Sequence, residues 1–192
     1  SSNLPQYEFL GRGNPPKKLE DYKGMTVRAL GGMAGAMRAL GASIATMTAT
    51  EVYQAIDRGA ADAVSFPSTY AHSAYKIDEV ATWFTSNMSP GTNDCPNVIS
   101  LTAWNKLPEQ YKKLMYDARE KGYAALKAAY SAKDSVNLPK WRKKMTEIKY
   151  SDAELARFQK AGGQPVYDKW IAKHKSEFDA QAMLDAVLAA AK

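Results

Sequence analysis

The sequence predicts an α/β fold built on a parallel sheet, because strand-like and helix-like segments alternate over its first third. The predicted βαβαβ order occupies residues 25–30, 33–40, 43–47, 48–58 and 62–66. Thr48 and Glu51 have capping-box spacing, and Gly41 and Gly59 end the two helices. Because helical crossovers join parallel strands, all three strands point the same way, and their carboxyl ends meet at one edge of the sheet.

Length and composition are those of an ordinary folded protein. The 192 residues can bury a real core, and the 45% hydrophobic and 24% charged residues argue against disorder. The net charge of +6 comes from lysines spread along the chain. The densest basic cluster, Trp141–Lys144, indicates a solvated helix face, so we predict no nucleic-acid partner. No apolar run reaches transmembrane length.

The sequence predicts neither a metal nor a cofactor. Cys95 is the sole cysteine, which excludes an intrachain disulfide, and His72 and His174 are too far apart in sequence to suggest a zinc ligand pair. The glycine-rich turn Gly31–Gly35 lacks the spacing of a dinucleotide fingerprint and the lysine–hydroxyl end of a P-loop. No catalytic constellation is assembled by any motif, so we predict that the protein is not an enzyme.

The predicted strand ends carry the candidate binding residues. In parallel sheets, ligands bind outside the carboxyl ends of the strands, where Arg28 and the pair Ser65–Phe66 occupy equivalent places. A guanidinium binds a carboxylate with two parallel hydrogen bonds, although an arginine at a strand end is also often a solvated surface residue. Phe66 can face a cleft, and Tyr70 and His72 follow on the next helix.

The rest of the chain is mostly helical. We predict a helix at 69–82, an irregular segment at 86–94, a long helix from Leu107 past Tyr130, and short strands near 97–101 and 146–150. Pro139 is expected to break the long helix, and the Gly162–Gly163 pair to end a helix that Ser151 caps. Helical stretches at 165–175 and 177–191 follow. Helical spacing predicts core positions for five aromatic residues: Tyr53, Trp83, Trp104, Tyr111 and Trp170. The polar residues Asn93, Asp94 and Asn97 can bind a ligand or simply form turns.

Five stretches in this order resemble the DctP-type solute-binding proteins of TRAP transporters. They are Asp21–Arg28, Ala39–Ala42, Glu51–Gly59, Asp62–Pro67 and Trp104–Pro108. The resemblance covers about residues 7–130, and the helical tail only by its general pattern.

The resemblance implies a two-lobed periplasmic receptor that closes on an organic acid and delivers it to a membrane permease. It implies that Arg28 pairs with the ligand carboxylate and that Phe66 contacts the ligand. An aromatic residue at Phe66 argues against a sialic acid, which family members bind with an asparagine at that place. Asn93 matches a cleft-lining segment, and Arg12 is a candidate second anion contact.

The resemblance also implies a periplasmic-binding-protein-like lobe divided into four parts. These are a crossover or hinge segment at 1–24, a ligand-binding lobe at 25–100, a long bracing helix at 101–145, and a C-terminal strand with a helical tail at 146–192. Family members are longer, and the missing part corresponds to most of the first lobe. We therefore expect a truncated fragment that binds ligand weakly or not at all, and that forms a homodimer through the exposed face.

Two other functions remain open on the residues alone. A small α/β enzyme acting on an acidic substrate would need a base near Arg28, for which only His72 or Asp94 is plausible. A basic interaction module would act through Lys140–Lys144 and would bind nucleic acid in a steeply salt-dependent way. Neither alternative explains five family motifs in register.

Overall fold

The computed structural model describes residues 2–190 and confirms the α/β fold. Its strands are β1 (Ser2–Asn3), β2 (Tyr7–Gly11), β3 (Thr26–Arg28), β4 (Ser43–Ala45), β5 (Ala63–Pro67), β6 (Trp83–Thr85), β7 (Asp94–Cys95) and β8 (Thr146–Ile148). Its α-helices are α1 (Gly31–Ala39), α2 (Val52–Asp57), α3 (Tyr70–Ala74), α4 (Ile77–Val80), α5 (Leu101–Lys106), α6 (Glu109–Lys144), α7 (Asp152–Phe158), α8 (Gln164–His174) and α9 (Ala180–Ala190). Short 3-10 turns cover Leu19–Tyr22 and Ala49–Glu51.

Six strands form the main sheet, in the order β4-β3-β5-β2-β6-β8. The predicted βαβαβ unit is confirmed, because β3 pairs in parallel with both β4 and β5. Strand β2 runs antiparallel to β5 and β6 and lies between them. It therefore begins at the edge where the other strands end, and Tyr7 stands opposite Pro67. The four-part division of the chain stays a prediction, although three of those parts contribute strands to this one sheet.

Gly11 lies where β2 passes closest to its neighbours. A Cβ atom at this position would lie 2.2 Å from Trp83 Cζ2 and 2.4 Å from the backbone oxygen of Asp62. Because Trp83 is fully buried, the sheet must shift to make room. We expect Gly11→Ala to lower the free energy of unfolding in urea by about 2 kcal/mol. Gly122→Ala is the control, since its Cβ would meet nothing within 4 Å; equal stabilities of the two variants would contradict the expectation.

Apolar side chains fill both faces of the sheet. One face packs against α1, whose Met33 and Met37 are buried. The other face packs against α2, α3, α4 and the end of α6, and includes Phe66 and Trp141. The long helix therefore reaches the core only near its carboxyl end, where Asn137 and Trp141 are its buried residues.

The prediction that Pro139 breaks the long helix is wrong. Helix α6 continues for 36 residues, from Glu109 to Lys144, with Pro139 inside it. A proline in a helix removes one backbone hydrogen bond and crowds the preceding turn. Here Asn137 and Trp141 are buried on either side of Pro139, and their packing holds the helix together across it.

The glycine pair Gly162–Gly163 does not end a helix either. A π-helical turn at Gln159–Gly163 joins α7 to α8 without a break. A Cβ atom on Gly162 would lie 2.9 Å from Phe158 Cε2 and 3.3 Å from the backbone oxygen of Ala36. The glycine is therefore needed for the close approach of this turn to α1, not for chain reversal.

Other boundaries also differ from the predictions. The expected strand near 97–101 is absent from the described chain: α5 begins at Leu101, and Ser100 caps it by accepting a hydrogen bond from the Ala103 backbone. The expected helix at 69–82 is two short helices, α3 and α4, separated by Lys76 in the left-handed conformation. Strand β6 follows and was not predicted.

The five aromatic residues predicted for the core do not share one environment. Trp83 is buried, but Tyr53, Trp104 and Trp170 are half-buried and Tyr111 is exposed. Along α5 and α6 an open apolar groove of about 770 Å³ includes Trp104, Met115 and Tyr116. The apolar residues of this part of α6 therefore repeat with helical spacing, but they do not pack into a buried core. Within residues 2–190, no helix is both long and apolar enough to cross a membrane.

Candidate functional site

Arg28 is a buried cation at the carboxyl edge of the sheet. Its side chain is only 4% exposed. Nη1 donates to the Ser65 carbonyl at 3.3 Å and Nη2 to the Met47 carbonyl at 3.4 Å, both long hydrogen bonds. The Nε–H group is buried and has no hydrogen-bond partner among the described residues. Burial lowers the pKa of Arg28, yet an arginine remains protonated at physiological pH. The site therefore holds a positive charge without a carboxylate counter-ion from the described chain.

Ser65 and Phe66 hold this guanidinium from the neighbouring strand. The Ser65 hydroxyl donates to the Arg28 carbonyl at 3.4 Å, so β5 contacts Arg28 through both its backbone and its side chain. The Phe66 ring centroid lies 4.7 Å from Arg28 Cζ, a cation–π contact. Tyr75 stacks on Phe66 at 5.2 Å and His72 meets it edge-on at 5.6 Å. The Phe66 ring therefore packs against the guanidinium group of Arg28.

Tyr70 and Asn93, both predicted from the sequence, also lie at this edge. Asn93 Nδ2 donates to the Tyr7 hydroxyl at 3.0 Å, and Tyr70 stacks on Tyr130 of α6 at 4.8 Å. Burial raises the pKa of Tyr70 to about 12 and also raises that of Tyr7. These hydroxyls are therefore neutral hydrogen-bond donors at physiological pH.

The long helix holds the turn that leads from Phe66 into Tyr70 and α3. Asp134 Oδ1 accepts hydrogen bonds from the backbone N–H and the hydroxyl of Thr69, both at 2.8 Å. Asn137 Nδ2 donates to the same hydroxyl at 3.0 Å. Thr69 is fully buried, so α6 locks the connection that follows Phe66. Sequence analysis missed this role, because a polar residue on a long helix gives no signal of what it contacts.

Glu8 is a buried carboxylate on β2, opposite Phe66 in the strand register. Its oxygens accept hydrogen bonds from the Thr85 hydroxyl at 2.5 Å and from the backbone N–H groups of Met88 and Ser89 at 3.2 and 3.0 Å. Burial raises the pKa of Glu8, and these hydrogen bonds oppose the shift. Glu8 therefore ties the segment that leaves β6 to strand β2 near the carboxyl edge of the sheet. Sequence analysis did not identify it.

Arg12 does not join this group. It follows Gly11 at the far end of the antiparallel strand β2, so it lies at the opposite edge of the sheet from Arg28. There its backbone donates to Asp62, and its side chain pairs with Asp57 at 3.4 Å. Arg12 is a candidate second anion contact by family resemblance alone, and the antiparallel direction of β2 places it away from Arg28.

The residues that the two alternative functions would use are buried, exposed or paired with other groups. His72 is fully buried: its Nε2 contacts the Glu8 carbonyl at 3.1 Å, and burial lowers its pKa to about 4. It is therefore no substrate-facing base. Asp94 is exposed and lies in β7. The basic segment is largely paired: Arg142 binds both oxygens of Glu147, and Lys144 donates to backbone carbonyls.

The polar groups at this edge are hydrogen-bond donors rather than a cluster of metal ligands. Groups of three or more His, Cys, Asp or Glu side chains that could hold a metal ion do not occur between residues 2 and 190. What the edge offers is one desolvated guanidinium, several tyrosine hydroxyls and an asparagine amide. Such donors have the chemistry to hold and orient a carboxylate.

Comparisons with known proteins point to one family. Residues 8–174 match the bacterial extracellular solute-binding protein family 7, DctP. A monocarboxylate 2-oxoacid-binding periplasmic protein from Nostoc is 26% identical, over 84% of this chain and 49% of its own length. The chain thus spans about half the length of this curated relative.

Solved structures of TRAP periplasmic solute-binding proteins share the fold. One from Desulfovibrio salexigens, with bound orotic acid, has a TM-score of 0.85 at 19% identity and covers 96% of this chain and 59% of its own. One from Rhodoferax ferrireducens, with bound malonate, has a TM-score of 0.82 at 24% identity, covering 98% and 61%. With residues 8–174 matched, this chain belongs to the DctP family of bacterial extracellular solute-binding proteins.

Proposed function

We propose that this chain is the ligand-binding part of a TRAP transporter receptor, and that Arg28 binds the carboxylate of a small organic acid. The observation that carries the proposal is the buried guanidinium with an unpartnered Nε–H group. A buried charge is costly unless an opposite charge and hydrogen bonds compensate it. A ligand carboxylate supplies both to Arg28 through the paired geometry that guanidinium groups favour.

The relatives support the same class of ligand. The Nostoc relative is named for monocarboxylate 2-oxoacids, and the two structural neighbours hold orotic acid and malonate, all of which carry a carboxylate. For this chain, delivery to a membrane permease and a periplasmic location follow from membership of the family and are part of the proposal.

Affinity is expected to be low for the 192 residues alone. Ligand sites usually bury most of the ligand surface between facing walls. Arg28, Phe66 and the surrounding tyrosines form one wall, and the chain spans 59–61% of the two structural neighbours. The absence of a first lobe and self-association through an exposed face stay predictions. The apolar groove along α5 and α6 is the surface that such association would bury.

The test is an NMR titration of the 192-residue chain with sodium pyruvate, following the Arg28 Nε–H resonance at constant ionic strength. We expect this resonance to move and saturate with a dissociation constant of about 1 mM or weaker, since one wall encloses little of the ligand. Arg28→Met is expected to weaken binding at least about tenfold, measured by saturation transfer to the ligand, because a charge-assisted pair is lost.

Arg12→Met is the matched control. Arg12 is an exposed cation at the opposite edge of the sheet, so its loss changes the net charge equally but should alter pyruvate binding by less than about twofold. Methionine fits the buried Arg28 position because an apolar side chain can replace a buried charge without loss of folding. Equal binding by the wild type and Arg28→Met would reject the proposed role.

A further inference from the structure

Four tyrosines lie near Arg28 at the carboxyl edge of the sheet, and we call this group, Tyr7, Tyr70, Tyr75 and Tyr130, the tyrosine wall. Tyr75 stacks on Phe66, whose ring contacts the Arg28 guanidinium. Tyr7 stands opposite Pro67 in the strand register, and Tyr70, on the helix that follows, stacks on Tyr130. Tyr75 remains 39% exposed, and Tyr70 and Tyr130 are half-buried. The partly exposed Tyr75 ring is therefore joined to the cation through Phe66.

On the basis of the proposed function, we propose that this site selects planar aromatic monocarboxylates over saturated acids and dicarboxylates. Tyr75 is the specificity-determining residue in this proposal. The carboxylate binds Arg28, and the planar body of the ligand packs on the tyrosine wall.

The charge distribution favours a single carboxylate. Of the described cationic side chains, Arg28 alone makes a cation–π contact with a ring of this site. The face of an aromatic ring carries partial negative charge, so it repels an anion placed over it. A second carboxylate placed against such faces would lose hydration and would meet this repulsion. An uncharged ligand body is not repelled by the ring faces and does not lose the hydration of a charge.

The ring geometry favours a planar body. Phe66 and Tyr75 are nearly parallel, with an interplanar angle of 17°, and Tyr70 and Tyr130 are inclined by 26°. Aromatic pairs gain attraction from offset stacking beyond the area they bury. A flat ring can extend these stacks, whereas a saturated ring of equal carbon number presents no π face. The neutral hydroxyl of Tyr7 adds a donor rather than negative charge, whereas the Tyr70 hydroxyl is hydrogen-bonded to Tyr130.

Benzoate and cyclohexanecarboxylate form a matched pair of probes for this proposal. Both carry one carboxylate and seven carbons, and the saturated ring buries at least as much apolar surface, so burial alone does not favour benzoate. With the 192-residue chain at pH 7, we expect benzoate to bind about fivefold more tightly than cyclohexanecarboxylate. Succinate is expected to bind more weakly than benzoate. Affinities come from the Arg28 Nε–H titration and from saturation transfer.

Variants at Tyr75 separate stacking from folding. Tyr75→Leu should bring the benzoate preference below about twofold while cyclohexanecarboxylate binds as before, and Tyr75→Phe should keep the preference because its ring is retained. Tyr111→Leu, on the exposed surface of α6, should also keep it. Far-ultraviolet circular dichroism verifies that each variant is folded.

The outcomes distinguish this inference from the function on which it rests. If no carboxylate shifts the Arg28 resonance, the proposed function fails and the inference fails with it. If the two ring acids bind equally, or if Tyr75→Leu keeps the full benzoate preference, only the inference is overturned. Tighter binding of succinate than of benzoate would likewise overturn the inference alone.

Discussion

Trp141→Ala is expected to lower the free energy of unfolding by about 4 kcal/mol, as measured by urea denaturation. Trp141 is 1% exposed, and its ring packs edge-on against Phe84 at 5.5 Å and His72 at 5.8 Å. Its indole N–H donates to Asp78 Oδ2 at 3.1 Å. Truncation leaves a cavity and removes a donor from a buried carboxylate, and both effects destabilise the fold.

The same substitution should also destabilise the segment at Thr69 and Tyr70, at the carboxyl edge of the sheet. Trp141 is one of two buried residues of α6, and the other, Asn137, donates to the Thr69 hydroxyl that Asp134 also binds. Amide hydrogen exchange at Thr69 and Tyr70 is therefore expected to rise in Trp141→Ala. Trp104→Ala is the control: Trp104 is half-buried on the exposed groove, and its loss should cost less than about 1 kcal/mol. Similar losses at both tryptophans would contradict this account.

The sequence alone predicts the βαβαβ unit well because its signals are local. Thr48 and Glu51 form the predicted capping box, and Gly41 and Gly59 both have the positive φ that favours glycine at a helix end. These features depend on neighbouring residues only. The carboxyl-edge rule then places Arg28 beside Ser65 and Phe66 without any knowledge of tertiary contacts.

Features that depend on contacts between residues far apart in the sequence cannot be predicted in this way. Nothing local shows that β2 inserts antiparallel between β5 and β6, and this direction separates Arg12 from Arg28. Pro139 lies within a continuous helix because its neighbours are buried by other elements. Glu8 and Tyr75 reach the carboxyl edge of the sheet only through the placement of β2 and α3. Their positions in the sequence therefore do not indicate that they lie there.

The second large expected effect is a loss of folding stability at acidic pH, which we attribute to His72. The ring is fully buried; Nε2 donates to the Glu8 carbonyl, and Nδ1 has no partner among the described atoms. Protonation would create a buried charge, whose cost the Glu8 and Phe66 carbonyls and the Asp78 carboxylate only partly offset. Burial is the main cause that lowers the pKa of His72 from 6.5 to about 4. The folded state consequently binds fewer protons than the unfolded state between these values.

A lowered pKa contributes stability that is present above pH 6.5 and is lost as the pH falls through about 4. We expect this loss to reach about 3 kcal/mol by pH 4. The raised pKa of Glu8 acts in the opposite sense, because protonation of Glu8 favours the folded state. Urea denaturation of wild type and His72→Gln at pH 7 and pH 4 isolates the histidine, since Glu8 is present in both. The variant should lose about 3 kcal/mol less than wild type; equal losses would show that His72 does not titrate in this range.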